Sequence, residues 1–482
     1  MDVRLYIQSL FEKKGIAISG NRQDEFDKFA RNESNVALVE QITINQNKLM
    51  KNWALQNRIL DIIDQQVSLP NAIEGKEYSY TVDLKKNNLA DIVSYEIDRL
   101  LDFGLNFDIS TNTITGIPDK SGDFKIIFKF KIDCESEEEP LHSKSISLLV
   151  NPDPKTLWKD IPSDQNALFW KDDNSCAFSE LGEKHIVVAS KRGRSHKNAG
   201  TFRDDDYAFK HIEKNGWSVV AVADGAGSYS LSRKGSEVSC KSIVEFFEND
   251  EAFDADKEFE LKIQEYISSK DEDILLEAKN LSKQILYKAT VFVHKKIKEL
   301  AEDTYKSNPE LFDNPKAKSF LDYFHSTLIF ALFKKYDFGY LILTFGVGDC
   351  PIALISRENT VTLLNWLDVG EFGGGTRFIT QPEIFHSNEH PMATRFNFQE
   401  VADFSYLFLM TDGIYDPKFV VEANLERDEK WAEFIDDLNG NNEDKATVEM
   451  NPSNTEISQQ LSDWMDFWST GNHDDRTLAI IF

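Results

Sequence analysis

The chain has 482 residues, 82 of them Asp or Glu and 54 Lys or Arg, so its formal net charge is −28. Affinity for the nucleic-acid backbone comes from clustered Lys and Arg, and attraction to anionic lipid has the same source; so large an acid excess excludes both roles. Hydrophobic residues are 41% and charged residues 28%, an ordinary globular composition, and the length suggests two or three domains.

No run approaches the ~20 apolar residues of a membrane span. The opening MDVRLYIQSLFEKKG shows no apolar core with a small-residue cleavage site, so no signal peptide is expected. Cys134, Cys176, Cys240 and Cys350 are scattered without a close pair. That is neither a disulfide framework nor a zinc pattern, and a cytoplasmic location is the expectation.

Residues 1–66 read as a helical region, with Val36, Val39, Ile42, Leu49, Trp53, Leu60 and Ile63 recurring at roughly helical spacing. From 67 to 151 the pattern turns to strands punctuated by Asn71, Gly75, Asn112, Gly116, Pro118 and Gly122. KIIFKFKI, Lys125–Ile132, ends in strict alternation, which predicts a half-buried antiparallel strand. The stretch GLNFDISTNTITGIPDKSGDF from Gly104 to Phe124 resembles immunoglobulin-like or cadherin-like repeats, in which GLxFD precedes xITGxP and a GxF strand start. That resemblance implies an all-β sandwich that binds partners or acts as a spacer.

Residues 152–183, with Pro152, Pro154 and Pro162, read as a linker. From 184 to 482 short apolar runs alternate with longer helical stretches, which predicts an α/β or α+β domain. Long helices are expected over Ser236–Phe247 and Glu258–Thr304, with the acidic runs there as solvated faces.

Within this last region apolar runs end abruptly in aspartate beside glycine. WSVVAVA runs into Asp224-Gly225, YLILTFGV into Gly348-Asp349, and YLFLMT into Asp412-Gly413. Two acidic clusters flank further strand-like segments: Arg203-Asp204-Asp205-Asp206 and His473-Asp474-Asp475. One Asp-Gly after a strand is an ordinary turn. Several carboxylates gathered at one sheet edge would repel and raise each other's pKa values, and cations held between them resolve the repulsion. An all-oxygen set favours Mg²⁺ or Mn²⁺ over zinc, and HExxH and CxxC are absent.

The pieces SKRGRSHKNAGTFRDDDYAF, VAVADGAGS with SRKGSE, HSTLIFALF, GVGDCPIAL, FLMTDGIYD and HDDRTLAII resemble, in order, the protein phosphatase 2C family of metal-dependent serine/threonine phosphatases. The SKRGRSH lead-in and the DGAGS form resemble bacterial branches, where a companion kinase is common. The resemblance implies an α+β fold, an αββα sandwich of two antiparallel sheets flanked by helices. It implies two Mn²⁺ or Mg²⁺ ions, a third weaker one, and a phosphorylated protein as substrate, hydrolysed by a metal-bridged hydroxide in line and without a phosphoenzyme.

Carried over to this chain, Asp224 bridges both ions and Gly225 offers its carbonyl. Asp205, or Asp206 after a one-residue slip, Asp412 and Asp474 complete the set, and Asp349 serves the third ion. Asp224, Asp412 and Asp474 would carry the catalysis. The family's phosphate-binding arginine falls here on Gly200, a departure for which Arg203, Arg192 or His196 would compensate. GEFGGGT, residues 370–376, lacks the Lys-Ser/Thr of a phosphate loop and occupies the place of the family's flap. Competing readings are a catalytically silent phosphoprotein-binding adaptor on the same fold, a scaffold in which the β-sandwich does the work, and a hydrolase of small phosphate esters.

Overall fold

The computed structural model describes residues 2–136, 138–249, 257–368, 375–387, 391–469 and 471–482. The chain divides into two compact units, Met1–Leu157 and Trp158–Phe482.

The first unit opens with helices Val3–Lys13, Gln23–Arg31 and Glu33–Asp64. Asp2 and Asn32 cap the first and third by accepting backbone amides, and Ile7, Phe26, Ala30 and Val39 form a small shared core. Among the described residues seven strands follow: β1 (Ala72–Ile73), β2 (Tyr78–Thr81), β3 (Ile92–Asp98), β4 (Leu105–Asp108), β5 (Thr113–Gly116), β6 (Gly122–Ile132) and β7 (His142–Asn151). They form one sheet of order β1-β7-β6-β3 and another of order β2-β5-β4. Both sheets feed a single core that includes Tyr78, Leu105, Ile114, Phe128, Phe130 and Leu148. The alternation in β6 buries Ile126, Phe128, Phe130 and Ile132 and leaves the intervening lysines partly exposed. Ile62 of the long helix joins this core, and the buried Lys144 ammonium caps that helix by donating to the carbonyls of Ile62 (2.7 Å) and Gln65.

The second unit holds β8 (Asn174–Leu181), β9 (Lys184–Lys191), β10 (Asp206–Ile212), β11 (Trp217–Ala223), β12 (Leu328–Tyr336), β13 (Gly339–Val347), β14 (Ile352–Ile355), β15 (Val361–Leu363), β16 (Phe396–Val401), β17 (Tyr406–Met410) and β18 (Arg476–Ile481). One antiparallel sheet runs β10-β11-β12-β13-β16 and the other β15-β14-β17-β18-β9-β8. Val220, Val222, Ile329, Ala331 and Ile342 of the first meet Ile186, Val188, Leu407, Leu409 and Ile481 of the second in a shared core.

The outer face of the first sheet (Val219, Ala221, Leu341) is covered by helices Ser232–Glu248, Lys257–Ser269 and Glu272–Ser307. The outer face of the second (Val187, Phe408, Ile480) is covered by Asp412–Phe419, Asp428–Leu438 and Ile457–Trp464. This is a four-layer αββα arrangement. It explains the unbroken apolar runs: β11 is buried at every position because alternate residues enter different cores.

Two boundaries differ from the sequence reading. Segment 152–183 is not simply a linker, because Trp158 onward belongs to the second unit and β8 is an edge strand of its six-stranded sheet. Its polar sequence, NSCAFSEL, hid it: an edge strand buries little on either face. The expected helix over Glu258–Thr304 is two helices, broken at Lys270 (φ +55°) and restarted by Asp271, whose carboxylate caps Asp273 N–H at 2.9 Å.

Candidate metal centre

Sheet register brings the predicted acids to one edge. Asp206 pairs with Ala223, so Asp205 and Asp224 leave adjacent strands side by side. Leu328 pairs with Val347, which brings Ser326-Thr327 and Gly348-Asp349 to the same end. In the other sheet Met410 pairs with Leu478 and Lys191 with Arg476, so Asp412, Asp474-Asp475 and the 192–196 turn emerge together. Hydrogen bonds join the two sheets there: Thr411 and Thr477 hydroxyls, from the second sheet, each donate to Asp205 Oδ2 at 2.8 Å.

Specific hydrogen bonds hold several of these segments. The Asp224 amide donates to Thr327 Oγ1 (2.8 Å) and its carbonyl accepts from Thr327 N–H (2.8 Å). Asp349 Oδ2 accepts from Thr376 Oγ1 at 2.7 Å. Asp475 accepts from the amides of Gly193 (2.6 Å) and Asp204 (2.5 Å), tying two loops together. Gly225 and Gly413 are required by close approach: a Cβ would stand 2.6 Å from Asp204 O at the first and 1.8 Å from Asp475 O at the second. Any side chain would push Asp224 or Asp412 out of the cluster.

The electrostatics record crowding. Burial, then the charges of Asp412, Asp205, Asp474 and Asp349, drives the Asp224 carboxyl well above its ordinary range. Asp412 is driven the same way by burial, then by Asp474, Asp349 and Asp205. Asp205 rises to about 8 through burial and the Asp475 charge, against the two threonine hydrogen bonds. Asp349 rises chiefly through burial. Asp474 is lowered: its burial is outweighed by the hydrogen bond and charge of His196.

Buried oxygens Asp349 Oδ1 and Asp412 Oδ1 have no hydrogen-bond partner. Orphaned acceptors among mutually repelling carboxylates, all oxygen donors, fit hard divalent cations of the Mg²⁺ or Mn²⁺ type. A second grouping, His196, Asp474 and Asp475, brings ligand atoms within 4.8 Å of one another, but both Asp475 oxygens are already occupied by backbone amides.

Asp206 does not join the acids: it forms an ion pair with the partly buried Lys171 at 2.9 Å, and its carboxyl is held below the usual range, burial being outweighed by Lys171 and Arg203. The proposed phosphate cations are placed differently from one another. Arg192 is buried and donates to Asp173, Ile161 O and His196 O. Arg203 is buried and donates to Asp172 O, Ser190 Oγ and Asp205 O. Both hold backbone. His196 lies at the acids, with Nε2 3.1 Å from Asp474 Oδ1 and Nδ1 bonded to Phe202 O at 2.5 Å. Its pKa rises to about 10, burial being outweighed by Asp475, Asp474 and Asp204. Gly200, where the family's arginine would fall, is at φ +74° and ends the short helix Arg194–Ala199. Of GEFGGGT, residues 370–374 lie outside the described residues.

Sequence reading gave no role to Thr327, Thr411, Thr477 or Asp475, the last named only as part of an acidic cluster. Thr411 and Thr477 stand inside the quoted FLMTDG and HDDRT stretches, so their signal was present but overshadowed by the acids. Also unread was a buried pair: Arg395 donates twice to Asp368 (2.5 and 2.9 Å), and Asp368 Oδ2 accepts from Gly348 N–H at 2.9 Å.

The model of the family described as protein phosphatase 2C matches residues 192–466. The match spans more than half of the chain and contains Asp205, Asp224, Asp349 and Asp412, with Asp474 eight residues beyond its end; the protein belongs to the protein phosphatase 2C family. No curated protein matches the sequence. Similar solved structures include the serine/threonine phosphatase Stp1 from Staphylococcus aureus, 12% identical over 63% of this chain and 96% of that one, TM-score 0.32. The catalytic domain of the serine threonine protein phosphatase PstP in complex with two manganese ions is 13% identical over 61% and 96%, TM-score 0.34. RsbX in complex with magnesium is 11% identical over 64% and 98%, TM-score 0.30.

Proposed function

We propose that this protein is a metal-dependent phosphatase acting on phosphoserine and phosphothreonine in proteins. The observation that carries the reading is the cluster of Asp224, Asp412, Asp474, Asp205 and Asp349 where the ends of the two sheets meet, with unpartnered buried oxygens and with the Asp224 and Asp412 carboxyls driven up by burial and by the neighbouring acids' charge. Asp224, the Gly225 carbonyl, Asp412 and Asp474 would hold two ions, with Asp205 beside them and Asp349 for a third. Such ions supply charge neutralisation of the phosphate and a water activated near neutral pH.

The chain's own residues do the rest. Thr411 and Thr477 fix the Asp205 carboxylate, Thr327 fixes the Asp224 backbone, and Asp475 locks the 193 and 204 loops, so the acids are set before substrate arrives. Of the three candidate phosphate ligands His196 alone stands at the acids, its Nε2 3.1 Å from Asp474 Oδ1, while Arg192 and Arg203 are buried and engaged elsewhere. No side-chain nucleophile is needed: a water oxygen would bond to phosphorus in line as the bond to the serine or threonine oxygen breaks and that oxygen takes up a proton, without a phosphoenzyme. The first unit's two-sheet sandwich fits an immunoglobulin-like module that recruits partners, and a companion kinase and a cytoplasmic setting fit the bacterial branch. Among the described residues no helix is long and apolar enough to cross a membrane.

The test is hydrolysis of p-nitrophenyl phosphate and of phosphothreonine and phosphotyrosine peptides with Mn²⁺, Mg²⁺ or EDTA. Metal-dependent turnover that favours phosphothreonine is the expected result. Purified protein that binds phosphopeptide without turning it over would instead establish the adaptor reading.

A further inference from the structure

Helix Glu33–Asp64 carries an uncovered apolar stripe. Leu38, Ile42, Leu49 and Trp53 expose 54, 37, 70 and 63% of their surfaces, and their spacing of 4, 7 and 4 places them on one side of an α-helix. The helix's buried contacts lie elsewhere. Val39 faces the small N-terminal core, and Leu55, Ile59, Ile62 and Ile63 face the strand core. Monomeric proteins leave such patches bare when they serve an interaction.

The surroundings of the stripe select the occupant. Acids are about one residue in six of the whole chain, yet none occurs between Glu40 and Asp61. At 100° per residue the positions bordering the stripe include the uncharged Gln41, Asn45, Gln46, Met50, Asn52 and Gln56, while Glu40 and Lys51 fall on the opposite side. Two molecules at −28 repel almost everywhere; here they can meet without opposing like charges.

The spacing is also a palindrome. Turned about a two-fold axis between Asn45 and Gln46, one helix lays Leu38 against Trp53 of a second copy and Ile42 against Leu49, and each contact occurs twice. That self-complementarity is what an isologous interface requires. Four large side chains on each copy, with their amide neighbours, cover on the order of 1,000 Å², the size at which a specific interface begins.

We propose that the protein forms a two-fold dimer through antiparallel pairing of this helix. The proposal is independent of the catalytic reading. It is tested on the full chain by light scattering after size exclusion, with circular dichroism to verify folding. Wild type is expected at the mass of two chains, and Leu49→Glu and Trp53→Glu at the mass of one with unchanged spectra. Because Ile42 faces Leu49 across the axis, the double variant Ile42→Lys with Leu49→Glu is expected to dimerise again, and to dissociate in high salt. Wild type at the mass of one chain would overturn the proposal, and so would a dimer indifferent to Leu49→Glu. A double variant that stays single would overturn the antiparallel register.

Discussion

At the residue scale the account rests on how firmly the acids are held. Thr411→Val and Thr477→Val each remove one of two hydroxyls from Asp205 Oδ2 without changing side-chain shape. Loss of such an outer hydrogen bond typically lowers metal affinity about 10- to 100-fold, and calorimetric titration with Mn²⁺ should read a weakening in that range for each variant.

Protonation gives a second prediction. Burial, reinforced by Asp475, raises Asp205 to about 8, above the ~3.9 of an unfolded aspartate. The metal-free folded state therefore keeps a proton that the unfolded chain gives up. That contribution to stability is complete below about pH 4 and is lost as pH rises towards 8. Thermal melts of metal-free protein should show this component declining from pH 6 to 8, and the Mn²⁺-induced rise in Tm should be larger at pH 8 than at pH 6.

The acids were legible in the sequence because each ends an apolar run. The residues that fix them were not, since a threonine in or next to a strand reads as an ordinary β-former or helix cap. The spent state of Arg192 and Arg203 was equally hidden, because nothing local in RGRSH or FRDDD announces which carbonyls a guanidinium will meet.

At the element scale, the loop after β13 depends on a buried pair distant in sequence. Asp368 receives Arg395 and the Gly348 amide together, next to Asp349. Removing one partner of a buried ion pair strands the other's charge, at a cost of about 3–5 kcal/mol. Arg395→Met should show a loss of that size in denaturant titration, and Arg395→Met with Asp368→Asn a smaller one. Strands buried on both faces, such as β11 and β13, were plain in the sequence as unbroken apolar runs. Edge strand β8 was not, since it has too little burial to leave a pattern, and the turn at Lys270 interrupts an amphipathic period that continues on either side.

At the scale of the whole molecule, the second unit begins near Trp158 rather than at 184. The intervening stretch supplies Lys171 to Asp206, the Asp172 carbonyl to Arg203 and Asp173 to Arg192. A chain trimmed to residues 158–482 is expected to retain turnover of p-nitrophenyl phosphate. A chain trimmed to 184–482 should be insoluble or inactive, having lost an edge strand, the lysine that pairs with Asp206 and the partners of two buried arginines.

The net charge of −28 gave no sign of a site for phosphate, because a handful of the 82 acids decides the chemistry and the others do not take part. The measurement that bears most directly on the central claim sets metal binding against turnover in the same samples. Mn²⁺ is titrated into metal-free wild type and Asp224→Asn, and each titrated sample is then given a phosphothreonine peptide. The account predicts two bound ions and peptide hydrolysis for wild type, with both lost in Asp224→Asn while the fold persists. Hydrolysis that survives EDTA, or an Asp224→Asn protein that binds metal and turns over like wild type, would contradict it.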